Sequence, residues 1–269
     1  MLRLRSRSLL IALLSLTLVA GAGAPAIAQD ATPAAGEVTI LGPEESFGGA
    51  TLAEWNARWT QWHLSFPVDT SPGVDPTGQR CGYGQAGPVF FLPGNLGPPG
   101  ATSTCVVPEG VGISLNLGGA NCSTVEPPPF FGRDEDELRA CAATATDAIP
   151  IATHALSING QDVPDLASYR TSSPLTPIVF PENNVYPIVF PENNVYGAPA
   201  GAALFVNDAY YLLLAPPAPG TYEILLTAEA QVLDIWQITV EAPQVIEPAA
   251  TPVASHPGGQ AGGGRCMLG

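Results

Sequence analysis

The sequence predicts a mainly β protein, a two-sheet β-sandwich of jelly-roll-like form with one or two short helices packed on it. Three observations predict it. Gly and Pro number 29 each in 269 residues and are scattered along the chain, which disfavours long helices. Short runs of β-branched and aromatic residues recur between them. Turn signals separate those runs: Asn159-Gly160 is a strong two-residue hairpin signature, and PPAPGT over 216–221 reads as a turn between two strands.

In chain order, strands are predicted over 37–41, 88–92, 103–107, 112–117, 155–158, 202–206, 210–214, 221–228 and 232–240. In the last of these Trp236, Ile238 and Val240 alternate with Gln237 and Thr239, so one face is buried. A first helix is predicted from about Thr51 to His63. Thr51 and Glu54 form a T-x-x-E capping box, and Glu54 and Arg58 stand four apart with the acid first. Leu52, Trp55, Trp59 and Trp62 share an arc of roughly 80° at the helical period. A second helix starts near Asp134, which can cap while Glu137 occupies the third helical position and acids crowd the positive end of the dipole. Leu138, Cys141 and Ala142 then face inward.

The ends differ from the middle. Arg3, Arg5 and Arg7, an apolar run over 9–20 and the A-x-A triplet Ala26-Ile27-Ala28 make residues 1–28 a cleaved secretory signal peptide. The apolar run is short of the roughly 20 residues a spanning helix needs. Residues 29–36 are a disordered Ala/Pro/Thr linker, 37–241 a single sandwich domain, and 242–269 a disordered Pro/Ala/Gly-rich tail. The expected location is secreted or envelope-associated, with no transmembrane segment in the mature chain.

Cleavage would remove three of the nine basic residues and none of the 24 acids, taking the formal charge from −15 to −18. Such a chain repels phosphate backbones, so nucleic acid is excluded as a partner. The chain has no lysine at all, which rules out a Schiff base, a covalently held pyridoxal and a P-loop. No cofactor is expected.

The cysteines are Cys81, Cys105, Cys122, Cys141 and Cys266. In an exported chain they oxidise, and the first four lie close enough for nearest-neighbour pairing, Cys81 with Cys105 and Cys122 with Cys141. Four cysteines allow three connectivities, so the sequence leaves the pairing open. No C-x-x-C is present to favour a metal. Cys266 is left over in the tail.

The decapeptide PIVFPENNVY occurs twice in tandem, over 177–186 and 187–196. Two copies are too few for a solenoid. The duplication either lengthens one loop or hairpin, or doubles a contact loop in which Asn183, Asn184, Asn193 and Asn194 offer side-chain oxygens.

Some segments resemble a family of secreted bacterial proteins without an assigned activity. They are ATLAEWNARWTQWHLSFP, the stretch DPTGQRCGYGQAGPVFFL from Asp75, CVVPEG at Cys105, NNVYGAPAG, and NDAYYLLLAPPAPGTYEILL. The resemblance covers most of 47–240. It implies a secreted, mostly β domain and lends no catalytic residue. The doubled decapeptide departs from that pattern.

Function is less legible than compartment. Trp55, Trp59 and Trp62 could stack sugar rings, since a flat apolar face with an N–H suits that task; docking of the helix on a sheet explains the same arc. His63 ends the first helix, where a cation would suit the dipole, and His154 begins a strand. Neither stands in a metal-ligand motif. No G-x-S-x-G surrounds Ser65, Ser114 or Ser157. Carboxylates such as Glu54, Glu109, Glu126 and Asp75 leave an acid pair open. The reading expected is an exported, non-catalytic protein that binds a glycan or another envelope component. The alternative is a secreted carbohydrate-active hydrolase using a carboxylate pair.

Overall fold

The structure, a computed structural model, describes residues 36–75, 77–185 and 198–242. The expected signal peptide over 1–28, nearly all of the expected linker and tail, Cys266 and the second decapeptide lie outside the described residues.

The described chain is a β-sandwich with two helices. A small hairpin of β1 (Ser46–Phe47) and β2 (Ala50–Thr51) leads into α1 (Leu52–Leu64). The first sheet comprises β3 (Val89–Phe91), β5 (Gly112–Ser123), β8 (Arg170–Ser172), β9 (Thr176–Phe180) and β10 (Gly201–Leu214), in the order β3-β5-β10, with β8 and β9 both pairing with β10. The second sheet, in the order β4-β12-β11-β6-β7, uses β4 (Ala101–Pro108), β6 (His154–Ile158), β7 (Gln161–Asp162), β11 (Gly220–Ala228) and β12 (Gln231–Glu241). Two pairings, β3 with β5 and β4 with β12, are parallel. Asn159 and Gly160 between β6 and β7 both have positive φ, 52° and 74°, as a type I′ turn requires.

The core lies between the sheets. Ile113, Leu115, Leu117, Leu212 and Leu214 from the first meet Leu156, Ile224, Leu226, Trp236, Ile238 and Val240 from the second. The other face of the first sheet is covered by α1, whose Leu52, Trp55, Trp59 and Trp62 pack on Val89, Phe91, Tyr211 and Leu213. The second helix, α2 (Glu135–Asp147), is capped by Asp134, whose carboxylate accepts from Glu137 N at 3.0 Å. Its Leu138 and Ala142 cover Cys122 and Val206. These two lie on the inward face of the first sheet, so α2 continues the layer of the second sheet.

Four features depart from the sequence reading. Residues 37–41 form no strand of their own; Ile40 makes a single bridge to Leu214. The segments 202–206 and 210–214 are one strand, β10, because the polar pair between them is satisfied in place: Asn207 by Asn56 and Asp208 by Arg170. Strand β5 runs on to Ser123, with a bulge at Leu117. One extra residue reverses the facing of everything after it. Hence Ile113 and Leu115 face the core and so does Cys122, while Gly119 and Asn121 join Asn116 on the α1 side. Lastly, α1 is buried nearly all round, including Asn56, Ala57, Thr60 and His63 outside the tryptophan arc.

Cys81 and Cys105 stand with Cα atoms 5.4 Å apart and Cys122 and Cys141 6.1 Å apart, both bonded as disulfides. The first joins the loop after Asp75 to β4; the second fastens α2 to β5.

Candidate functional site

A cavity of about 410 Å³ lies beside the half of β5 that β3 does not reach, since β3 pairs only with Gly112–Ser114. Its walls come from four places. The C-terminal half of α1 gives Trp59, Thr60, His63 and Leu64. The 94–99 loop gives Asn95 and Leu96. The bulged stretch of β5 gives Asn116 to Gly119 and Asn121, with Asn207 beside it on β10. Leu226, Leu233 and Asp234 close the far side from β11 and β12. The volume falls in the range of small-molecule sites.

The walls are fixed. Trp236 Nε1 donates to Pro93 O at 2.9 Å, Leu96 N to Gly73 O at 2.8 Å and Gly100 N to Leu233 O at 3.0 Å, so the 94–99 loop is held at both ends and in the middle. Asn207 Nδ2 donates to Asn56 Oδ1 at 2.7 Å, locking the amide floor to α1. Asn121 Nδ2 donates to Glu126 Oε2 at 3.2 Å, and Asn116 Oδ1 accepts from Gly118 N at 2.8 Å.

His63 is the focal group. Its ring stacks on Trp59 with centroids 4.5 Å apart and planes 16° apart. It is 4% exposed, and its Nδ1 is buried with no hydrogen-bond partner. Burial lowers its pKa to about 4, so the imidazole is neutral at neutral pH. The expectation of a cation at the helix end is thereby corrected: the last turn of α1 is buried, and desolvation outweighs the dipole. Gly73 makes the fit possible, since a Cβ there would stand 2.7 Å from His63 Cε1 and 2.8 Å from Gly94 O.

Asp234 is the second titratable group. Its Oδ1 accepts from Asn95 N at 3.2 Å, and burial raises its carboxyl to about 7. No ion pair among the described residues involves it; those present use Arg133, Arg139 and Arg170.

The tryptophans do not form a stacking platform. They are 2%, 7% and 7% exposed, and each indole N–H is spent on a carbonyl: Trp55 on Phe47 O, Trp59 on Leu92 O and Trp62 on Tyr83 O, all at 2.8 Å. Docking on the first sheet uses the faces a sugar would need. Trp59 alone borders the cavity.

The carboxylates picked out from the sequence are dispersed. Glu54 closes the capping box, accepting from Thr51 N at 2.8 Å. Asp75 accepts from Thr77 N and Arg80 N at 3.0 and 2.8 Å. Glu109 is exposed in a turn, and Glu126 stands behind Asn121. None of the four lines the cavity, and neither do Ser65, Ser114, Ser157 or His154. Asn184 is turned to structural use, its Nδ2 donating to Ala198 O at 2.8 Å; Asn193 and Asn194 lie outside the described residues.

A second hollow of about 540 Å³ is rimmed by Glu37, Asn159, Gln161 and Asp162, all exposed, and has no buried polar atom lacking a partner. Among the described residues no three His, Cys, Asp or Glu side chains are grouped to hold a metal ion, and no helix is long and apolar enough to cross a membrane.

Sequence reasoning passed over Asp234, and the signal was available: it continues the inward row of Trp236, Ile238 and Val240, where an acid is out of place. Asn116, Asn121 and Asn207 gave no such signal, because the bulge that aligns them leaves no trace in the alternation. Family models, curated proteins and solved structures all fail to match the chain, so the functional reading stands on the cavity itself.

Proposed function

We propose that the protein is an exported, non-catalytic binding protein that works at or outside the cell envelope and takes a small ligand, part of a glycan or of another envelope component, into the cavity beneath α1. The observation that carries this reading is the His63 Nδ1, buried beside a preformed cavity without a partner. Leaving such an atom unsatisfied costs about 1–3 kcal/mol, a cost kept in the ring that borders the cavity. Asparagine amides from β5 and β10 orient the ligand's polar groups, and Trp59, Leu64, Leu96 and Leu226 cover its apolar ones. The lining holds one carboxyl and no serine or cysteine among the described residues, which favours binding over hydrolysis by an acid pair or a nucleophile. The two disulfides and the arginine-led apolar leader support export.

The test is a thermal-shift screen of glycan fragments and envelope extracts on the wild type and on Leu96→Trp, which fills the cavity from its loop. A stabilising component whose effect disappears in Leu96→Trp supports the reading. Failure of every fraction to raise the melting temperature overturns it, and consumption of the bound component replaces it with the hydrolase.

A further inference from the structure

The cavity also constrains the charge of what enters it. Asp234 sits opposite Leu226 in the ladder of β11 and β12, at the end of an otherwise apolar inward row. A carboxylate can accept about four hydrogen bonds, and one is given, from Asn95 N. The other polar groups that line the cavity with it are all uncharged: the His63 ring from α1, the Asn95 main chain from the loop, and the amides of Asn116, Asn121 and Asn207 from the first sheet. No arginine lines the cavity among the described residues, and the chain has no lysine to reach in. A half-buried acid without a counter-charge is an unfavourable element of the empty protein. A cationic ligand removes that cost.

Resting on the binding reading above, we propose that the ligand presents a primary amine to the carboxylate of Asp234 and lays its body against Trp59 and the leucines of the cavity. The neutral imidazole of His63 and the asparagine oxygens suit an ammonium group, which donates and never accepts. The net negative charge of the whole chain, −15, draws cations toward the opening. One consequence distinguishes this ligand from a neutral one. Burial holds the Asp234 carboxyl near 7 when the cavity is empty, and an ammonium beside it lowers that value, so binding near neutral pH releases protons.

Three probes of one shape and different charge test it: 2-phenylethylamine, 2-phenylethanol and phenylacetate. Affinities are measured by calorimetry at pH 7 in two buffers of different ionisation heat, on the wild type, Asp234→Asn and Leu96→Trp. The amine is expected to bind at least about tenfold tighter than the alcohol, with net proton release. Asp234→Asn, nearly isosteric, is expected to remove that preference, so that the amine and the alcohol bind the variant within about twofold of each other. An alcohol or acid that binds the wild type as tightly as the amine, or an amine preference that survives in Asp234→Asn, overturns the proposal. If the alcohol binds and Leu96→Trp abolishes it, the cavity reading stands and only the charge assignment falls. If no probe of any charge binds, the amine proposal falls, and the cavity reading is decided by the fraction screen.

Discussion

The two sheets carry out the same packing task under different conditions. The first is covered on both faces, by α1 on one side and by the second sheet and α2 on the other. The second is covered on one face alone. Strand β10 records the first condition, with every residue from Phe205 to Leu214 buried. Strands β11 and β12 record the second, with Tyr222, Ile224 and Leu226, and Trp236, Ile238 and Val240, buried at alternate positions. On a doubly covered sheet, each polar side chain must find a partner within the protein or wait for one from outside. Asn207 and Asp208 are answered by Asn56 and Arg170. His63 Nδ1, on the helix that packs on that sheet, is not, and its ring borders the cavity.

Alanine substitution breaks or confirms this contrast with the largest effects. In β10, Leu212→Ala and Leu213→Ala remove side chains on opposite faces, and each is expected to cost about 2–5 kcal/mol. In β12, Ile238→Ala is expected to cost a similar amount, whereas its neighbour Gln237→Ala stays within about 0.5 kcal/mol. Urea unfolding of the four variants provides the comparison. A Leu213→Ala variant as stable as wild type would mean that α1 does not close the outer face.

The disulfides come next, one for each sheet. Closing separations of 24 and 19 residues stabilises by roughly 3 kcal/mol each in the chain-entropy model. Their local effects differ. Losing Cys122–Cys141 leaves α2 held by Leu138, Ala142 and the Thr146 hydroxyl, which donates to Asp208 O at 2.7 Å. Losing Cys81–Cys105 frees the loop that packs on β4. Paired Cys→Ala variants are therefore expected to lose similar global stability, but amide exchange in β4 should rise only on loss of Cys81–Cys105. Equal exchange in both would remove the distinction.

A pH effect of intermediate size sharpens the contrast at His63. Its pKa is near 6.5 unfolded and about 4 folded, so the unfolded chain binds the extra proton. Stability from this group is complete above 6.5 and is lost as pH falls toward 4, by about 3 kcal/mol in all. Asp234 works in the opposite sense: its value rises from 3.8 unfolded to about 7 folded, so its contribution is complete below 3.8 and is lost as pH rises from there through 7. The lowered carboxylates Glu54, Asp75 and Glu137 act only below their unfolded values, so measurements above pH 4.5 separate them from the histidine. From pH 6.5 to 4.5 the two oppose each other, so the histidine is read in the Asp234→Asn background, where His63→Gln is expected to flatten the decline; Asp234→Asn itself is expected to gain stability over wild type above pH 7. A wild-type profile identical to that of His63→Gln would show the imidazole to be accessible to protons when folded.

Much of this was readable from the residues. The capping box at Thr51, the Asp134 cap, the Asn159-Gly160 turn and the alternation through Trp236 depend on local chemistry, and local chemistry is what a sequence displays. The unread parts are those set by distant chain. Nothing local says that β8 and β9 bury the second flank of α1, or that Arg170 would let Asp208 sit inside a strand. The candidate site was the harder half. The three tryptophans drew attention because they are large, yet their indoles are used up in docking. The residues that shape the cavity, His63 and Asp234, stand at helical and strand spacings from Trp59 and Trp236, which only become informative once the direction of each face is known.

The smallest expected effect concerns the doubled decapeptide. The first copy supplies β9, with Ile178 and Phe180 buried against Leu64 and Phe205, and ends with Asn184 bonded to Ala198 O. That bond brings the chain before the second copy within a hydrogen bond of the chain after it. Excising 187–196 leaves Val185, Tyr186 and Gly197 to span from Asn184 to Ala198, a short turn between points already held together. Removing residues from a loop changes its closure entropy by only about 0.6 kcal/mol per halving of length. The excised protein should therefore keep the wild-type circular dichroism spectrum and melt within a few degrees of it, while Ile178→Asp in that background, with no identical segment left to stand in for β9, should unfold it. A large loss of stability on excision alone would show that the second copy contributes contacts of its own, and the doubly covered sheet would then owe part of its cover to the duplication.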